Sequence, residues 1–212
     1  MATHLVTGAA SGIGAAIADR LAGRGDRVVR VTRDVVDLSD GVAVVRWATE
    51  LATDLDRLDS VVHCAGTVDL AVVAELDPDV WQRHLAVNLT APALLTGPLL
   101  PALRAAGGTV VFVNSSAGLT ANAGWSAYAA SKFGLRALAD SLRAEEAGNG
   151  VRVTTLFPSR TATPMQERVH EQESRTYDAS RWISVDTVAA SVLHVLDLPA
   201  DASIPELVIR PR

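Results

Sequence analysis

The run Leu5-Val6-Thr7-Gly8-Ala9-Ala10-Ser11-Gly12-Ile13-Gly14 constrains this chain more than any other. An apolar, β-branched run, three glycines and then a helical pattern from Ala15 is the order that aims free backbone N–H groups and a helix dipole at a diphosphate. Gly8 permits the tight turn, Gly12 lets backbone approach a phosphate closely, and Gly14 packs the helix on the strand. Ser11 and Ile13 lie in the same turn and are assigned to the same site. Three glycines at one fixed spacing arise somewhere in a chain of 212 residues with a probability of roughly 0.07. Position directly after the first strand is what gives the run its weight.

The remainder of the chain repeats the same unit. Short apolar runs at Leu5–Thr7, Arg27–Thr32, Ser60–Cys64, Thr109–Asn114, Arg152–Phe157 and Glu206–Ile209 alternate with helical stretches at Gly12–Gly23, Gly41–Leu55, Pro78–Ala105, Ser126–Ala147 and Asp186–Leu196. That alternation predicts an α/β fold, a Rossmann-like doubly wound parallel sheet with residues 1–212 as a single domain. Ligands are expected at the carboxyl ends of the strands, where the sheet order reverses. One segment, 166–181 (QERVHEQESRTYDASR), is too hydrophilic for a core. It reads as a solvated helix and loop, with a mobile lid over the ligand site as the functional alternative.

Composition removes several classes of function. A chain with 49% hydrophobic residues and this length can bury roughly 70% of its unfolded surface. A formal net charge of -5 leaves no basic face for a nucleic-acid backbone, so no nucleic-acid partner is expected. The five histidines show no metal-ligand spacing, so no metal is expected. Cys64 is the only cysteine and reads as a small buried apolar residue. The apolar stretch Ala91–Ala106 is interrupted by Pro92, Gly97, Pro98, Pro101 and Arg104, too short and broken for a bilayer of roughly 30 Å. No membrane segment is expected, and the N-terminus lacks a secretory pattern, so the expected location is cytoplasmic.

Of the 19 basic residues 18 are arginine, and the one lysine is Lys132. A compact ammonium with three donors is kept where a planar guanidinium is used everywhere else. It stands four residues after Tyr128 in Ser126-Ala127-Tyr128-Ala129-Ala130-Ser131-Lys132, so the two side chains share one face of a predicted helix. With two tyrosines and one lysine, that spacing has a chance probability of roughly 1%. A neighbouring ammonium favours the phenolate and lowers the phenol pKa, which makes the tyrosine usable as acid and base.

Thr7-Gly8-x-x-x-Gly12-Ile13-Gly14 followed by Tyr128-x-x-x-Lys132 resembles the short-chain dehydrogenase/reductase (SDR) superfamily. Cys64-Ala65-Gly66 is similar to that family's Asn-Ala-Gly segment, and Asn88 in HLAVNL to its helical asparagine. Asn114-Ser115-Ser116-Ala117-Gly118 resembles its serine strand, and Pro158–Met165 the segment that closes on the nicotinamide. The resemblance implies an oxidoreductase that transfers hydride between NADP(H) and a carbonyl or secondary alcohol. It implies that Tyr128 exchanges a proton with the substrate oxygen, and that Lys132 holds the nicotinamide ribose while lowering the Tyr128 pKa. Ser115, thirteen residues before Tyr128, is implied to hydrogen-bond the substrate oxygen. Asn88 is implied to interrupt its helix and hold a water joining Lys132 to solvent. Ala65, Gly66, Pro158 and Thr163 complete the implied cofactor site.

In the same resemblance Thr32 falls where NAD-preferring relatives carry an acid, and Arg33 can pair with a 2′-phosphate, so NADP(H) is favoured over NAD(H). Asp37 and Leu38 take the adenine-contact position. The chain runs from Arg33 to these residues almost at once, so the third strand of the usual order and its preceding helix are expected to be shortened or missing. The expected substrate is a small or medium-sized, largely apolar ketone or alcohol, with Leu119, Trp125, Met165 and Trp182 as candidate lining. Helices 78–105 and 126–147 resemble those at subunit interfaces in the family, which implies a homodimer or homotetramer. The alternative reading keeps the fold as a nucleotide-binding regulator or redox sensor without turnover.

Overall fold

The computed structural model describes residues 1–212. Six strands form one parallel sheet: β1 (Thr3–Thr7), β2 (Arg27–Val31), β3 (Ser60–His63), β4 (Thr109–Val113), β5 (Arg152–Pro158) and β6 (Glu206–Ile209). Their order is β2-β1-β3-β4-β5-β6. Helices cover both faces, so the central strands are apolar on both sides. Leu5, Val61, Val110 and Val153 stand in register and point to one face; Val6, Val62 and Val111, one residue on, point to the other. The first face packs against α2 (Gly41–Thr53), α4 (Ala91–Ala106) and α5 (Ser126–Glu146), which bury Val44, Leu99 and Leu135 on it. The second takes α1 (Gly12–Gly23) and α7 (Val185–Leu196) through Ile17 and Val192.

β2 is an edge strand, and no third strand lies beyond it, as the spacing after Arg33 implies. The Thr32 carbonyl accepts from the Val35 and Val36 N–H groups, turning the chain back, and the Asp40 carboxylate caps α2 by accepting from Val42 and Ala43. Too few residues separate the two events for a helix and a strand.

The structure refines two expectations and bears out the interruption at Asn88 that the resemblance implies. The single helix over 78–105 is instead α3 (Pro78–Leu85) and α4, joined by a π turn at Ala86–Thr90 with Asn88 buried in it. The turn widens the ladder by one residue where the Asn88 side chain bonds sideways rather than along the helix. By length and composition Pro78–Ala106 could cross a membrane, yet Leu95, Leu99 and Leu103 of this run are buried in the sheet-facing core. The hydrophilic segment after β5 is a mostly exposed helix and loop, as expected, but its helix buries one face. Thr163 caps α6 (Pro164–Gln172) by accepting from the Gln166 N–H, and the helix buries Gln166, Val169 and His170. Polar residues are tolerated there because the His170 ring packs on Tyr177 and Trp182, each at 5.3 Å between centroids.

Leu99 is fully buried, so Leu99→Ala is expected to cost about 2–5 kcal/mol in urea unfolding. Val208→Ala, on the half-exposed edge strand β6, is expected to cost no more than about 0.5 kcal/mol.

Candidate active site

Because β1 sends the chain outward to β2 and its other neighbour is β3, the loops leaving β1 and β3 diverge and open a crevice at the carboxyl edge of the sheet. The cleft there has a volume of about 320 Å³ and is lined on one side by α6. The glycine turn lines one end through Gly8, Ser11, Gly12, Ile13 and Gly14. Ala65 and Gly66 after β3, and Pro158 and Thr163 after β5, line its walls.

The glycine turn is fastened before any ligand arrives. The Thr7 hydroxyl oxygen accepts from the N–H groups of Cys64 (3.0 Å) and Ala65 (3.1 Å), drawing the end of β1 onto the loop after β3. Gly8 then passes Ala65 at φ +67°, so closely that a Cβ would lie 2.9 Å from the Ala65 Cα. A Cβ on Gly14 would overlap the Gly8 carbonyl. Only glycine fits at either position, and the result is a shallow backbone cradle at the start of α1.

Ser115, Tyr128 and Lys132 face the same cleft from β4 and α5. Tyr128 and Lys132 are almost fully buried, at 8% and 3% exposure. Burial pushes the Tyr128 phenol above its ordinary pKa, while a hydrogen bond from Ser115 acts in the opposite direction. Burial pushes the Lys132 ammonium down to about 8, opposed by the nearby Cys64. The expectation that Lys132 lowers the Tyr128 pKa is therefore corrected: the group acting in that direction is Ser115. Lys132 lies with Nζ 5.7 Å from the Tyr128 ring centroid and donates to the Val113 carbonyl at 3.2 Å. The net upward shift leaves the Tyr128 phenol in its neutral form at neutral pH.

Asn88 sits behind this group. Its Nδ2 donates to the Thr67 carbonyl (2.9 Å) and the Ser131 hydroxyl (3.0 Å), and its Oδ1 accepts from the Thr67 N–H (2.8 Å). Three residues that carry no role in the sequence reading help hold the site. Asn114 accepts from the Ser115 N–H (2.9 Å) and donates to the Lys132 carbonyl (3.0 Å), tying the serine to the tyrosine's helix. Ser131 donates to the Tyr128 carbonyl at 2.7 Å. The His84 ring, fully buried, meets Tyr128 edge-on at 6.4 Å, with Nδ1 donating to the Val80 carbonyl and Nε2 accepting from the Asp69 N–H. All three fall inside segments singled out in the sequence, Asn114 in the serine motif, Ser131 between Tyr128 and Lys132, and His84 at the head of HLAVNL, but nothing in their spacing marks these positioning roles.

Other residues stand apart from the cleft wall. Arg33 is exposed in the turn after β2, Asp37 accepts from the Ser39 N–H and hydroxyl, and Leu38 packs on the core beside α2. Trp125 and Met165 line the cleft, whereas Leu119 and Trp182 do not. The Cys64 thiol reaches the cleft wall, but burial pushes it up to about 12, which leaves it a protonated, weakly nucleophilic group. His63, in place of an asparagine, stacks on Phe112 at 5.0 Å and pairs with the Thr96 hydroxyl at 2.8 Å.

Residues 31–174 match the short chain dehydrogenase family. The chain is 35% identical to D-threitol dehydrogenase of Mycolicibacterium smegmatis, over 76% of this chain and 70% of that protein. It is 31% identical to a glycine betaine reductase of Emericella nidulans over 98% of this chain, but spans only 18% of that much longer protein. A short chain dehydrogenase of Shigella flexneri solved with NADP superposes with a TM-score of 0.88 at 27% identity, covering 98% of this chain and 96% of that one. The chain belongs to the short-chain dehydrogenase family and is an oxidoreductase of that family.

The unpaired burial of Lys132 has a cost to folding. Below about pH 8 both folded and unfolded chains carry the ammonium and the cost is full; as pH rises from about 8 toward the ordinary lysine value, the folded state sheds its proton first and stability rises. Lys132→Met is therefore expected to stabilise the fold by up to about 3 kcal/mol at pH 7. Urea unfolding at pH 7 and pH 10 checks this, the advantage shrinking at the higher pH.

Proposed function

We propose that this protein is an NADP(H)-dependent alcohol dehydrogenase or carbonyl reductase. The observation that carries the reading is a buried Tyr128, with Ser115 and Lys132 beside it, in the same cleft as a backbone cradle that any Cβ would fill. A dinucleotide suits that cradle: backbone from Gly8 to Gly14, with Ser11 and Ile13, would hold its diphosphate. Asp37, Leu38, Ala65 and Gly66 would flank the adenosine half, and Lys132, Pro158 and Thr163 the nicotinamide half. The cofactor supplies or accepts the hydride. Tyr128 gives its proton to the substrate oxygen during reduction and takes it back during oxidation, while the Ser115 hydroxyl bonds the same oxygen.

The proton that leaves Tyr128 must be replaced, and Lys132 and Asn88 provide the route. A Cβ built on Gly66 would lie 3.3 Å from Asn88 Oδ1 and 3.9 Å from Lys132 Nζ, so the glycine keeps the gap between these two atoms open. A water there would accept from Nζ and donate to Oδ1, and would relay protons toward solvent. The preference for the 2′-phosphorylated cofactor rests on Arg33, exposed next to the neutral Thr32. The NADP in the Shigella relative supports the same choice. The reading places the enzyme in the cytoplasm as a homodimer or homotetramer joined through α4 and α5, with the half-exposed Phe133 at the contact.

Tyr128→Phe is expected to lower ketone-dependent NADPH oxidation by roughly a hundredfold to ten-thousandfold while nucleotide binding persists. Arg33→Ala is expected to weaken NADPH binding about tenfold, leaving NADH little changed. Steady-state kinetics and tryptophan quenching measure both. A wild-type protein that binds nucleotide yet reduces no carbonyl compound would favour the regulator reading instead.

A further inference from the structure

The charged side chains that line the cleft are Lys132, Arg160 and Arg168, and no aspartate or glutamate lines it. This contrasts with the whole chain, in which 24 acidic residues outnumber 19 basic ones. Two of the three cations are already engaged. Lys132 is buried behind Tyr128 and bonded to the Val113 carbonyl. Arg160 is held by Glu173 through both terminal nitrogens, at 2.8 and 2.6 Å, and is stacked between Trp125 and Trp182 at 5.8 and 5.5 Å. Its charge is neutralised and its plane is fixed. Arg168 forms no ion pair and no side-chain hydrogen bond, and its side chain is exposed at the cleft.

Its place along α6 indicates which part of the cleft it serves. The helix is capped by Thr163, whose methyl faces Gly12 of the glycine turn, and ends at Gln172, whose Oε1 accepts from the Leu70 N–H at 2.7 Å. Met165 and Val169 pack into the apolar group around Tyr128. Arg168 shares their flank, one turn beyond Met165 and one turn before Gln172. Its backbone therefore stands more than one helical turn from the end of α6 that meets the glycine turn, on the flank that carries Met165 toward the apolar group around Tyr128.

We propose that the substrate carries an anionic group, bound by Arg168. Resting on the dehydrogenase reading above, this narrows the substrate to an oxo or hydroxy compound with three parts. Its reacting carbon sits at Tyr128 and Ser115, an apolar stem lies among Val68, Trp125, Met165 and Val169, and a carboxylate or comparable anion emerges at Arg168. An arginine is suited to the task because its planar fork pairs with a carboxylate through two parallel hydrogen bonds. A neutral ketone of the same length would leave the cation unpaired at the rim.

The test compares γ-keto acids with their own methyl esters, levulinate and benzoylpropionate serving as probes, with saturating NADPH or NADH. Wild type is expected to favour each acid over its ester by about tenfold to a hundredfold in kcat/KM. Arg168→Ala is expected to bring that ratio near one, Arg168→Glu to invert it, and Arg168→Lys to retain part of it. Arg168 is exposed, so these variants are expected to fold, and circular dichroism confirms it. Equal kcat/KM for acid and ester in wild type overturns the proposal while leaving the dehydrogenase reading intact. A rise in nucleotide KM in Arg168→Ala with the acid-to-ester ratio unchanged also overturns it, and assigns the arginine to the cofactor's diphosphate. No nucleotide oxidation with any ketone removes the proposal together with the reading on which it rests.

Discussion

The structure depends on a reversal and a clasp at one point. β1 lies between β2 and β3, so the chain leaves its carboxyl end in one direction and returns on the other side. That reversal would leave an open crevice, but the Thr7 hydroxyl accepts from two backbone N–H groups of the opposite loop and draws the walls together. Gly8 and Gly14 lack side chains because any Cβ at either position would strike the clasped backbone. The backbone cradle is thus a by-product of how tightly β1 and β3 are joined. The remaining site residues are hung from the same carboxyl edge by β4 and β5.

Electrostatics in the cleft follow from burial more than from pairing. Lys132 has no carboxylate partner, and the same burial that pushes its pKa down pushes that of Tyr128 up. The two shifts together keep the phenol neutral and the ammonium close to titration near neutral pH, a suitable arrangement for passing one proton along a short path. The network of Asn88, Asn114 and Ser131 fixes both residues of α5 by their backbone and neighbours rather than by charge. Positioning is supplied by neutral hydrogen bonds, and charge is left for the ligands.

Much of this was legible in the sequence for identifiable reasons. Apolar runs that alternate with helical periodicity are forced by a sheet covered on both faces, so all six strands lie within a residue or two of their expected positions. The glycine turn and the Tyr128–Lys132 spacing were readable because their steric and chemical demands admit few residue types. The interruption at Asn88 was implied by the family resemblance, but its form as a π turn at Ala86–Thr90 was not readable, because it depends on bonds to Thr67 and Ser131, residues distant in sequence. The buried face of α6 was missed for a related reason. It is made of Gln166, Val169 and His170, and a polar face is recognised as buried only once its partners Tyr177 and Trp182 are in view. The Tyr128 pKa shift was misassigned because proximity to an ammonium is visible in sequence, whereas the depth of burial is not.

The central claim is that this cleft carries hydride to a carbon whose oxygen Tyr128 protonates. The most direct measurement uses NADPH deuterated at its transferable position together with a reducible ketone, followed by mass spectrometry of the product. The account predicts one deuterium on the carbinol carbon, with the rate at which labelled product forms falling by roughly a hundredfold to ten-thousandfold when Tyr128→Phe replaces wild type. Nucleotide that binds and is recovered with its deuterium intact, whatever ketone is supplied, would contradict it.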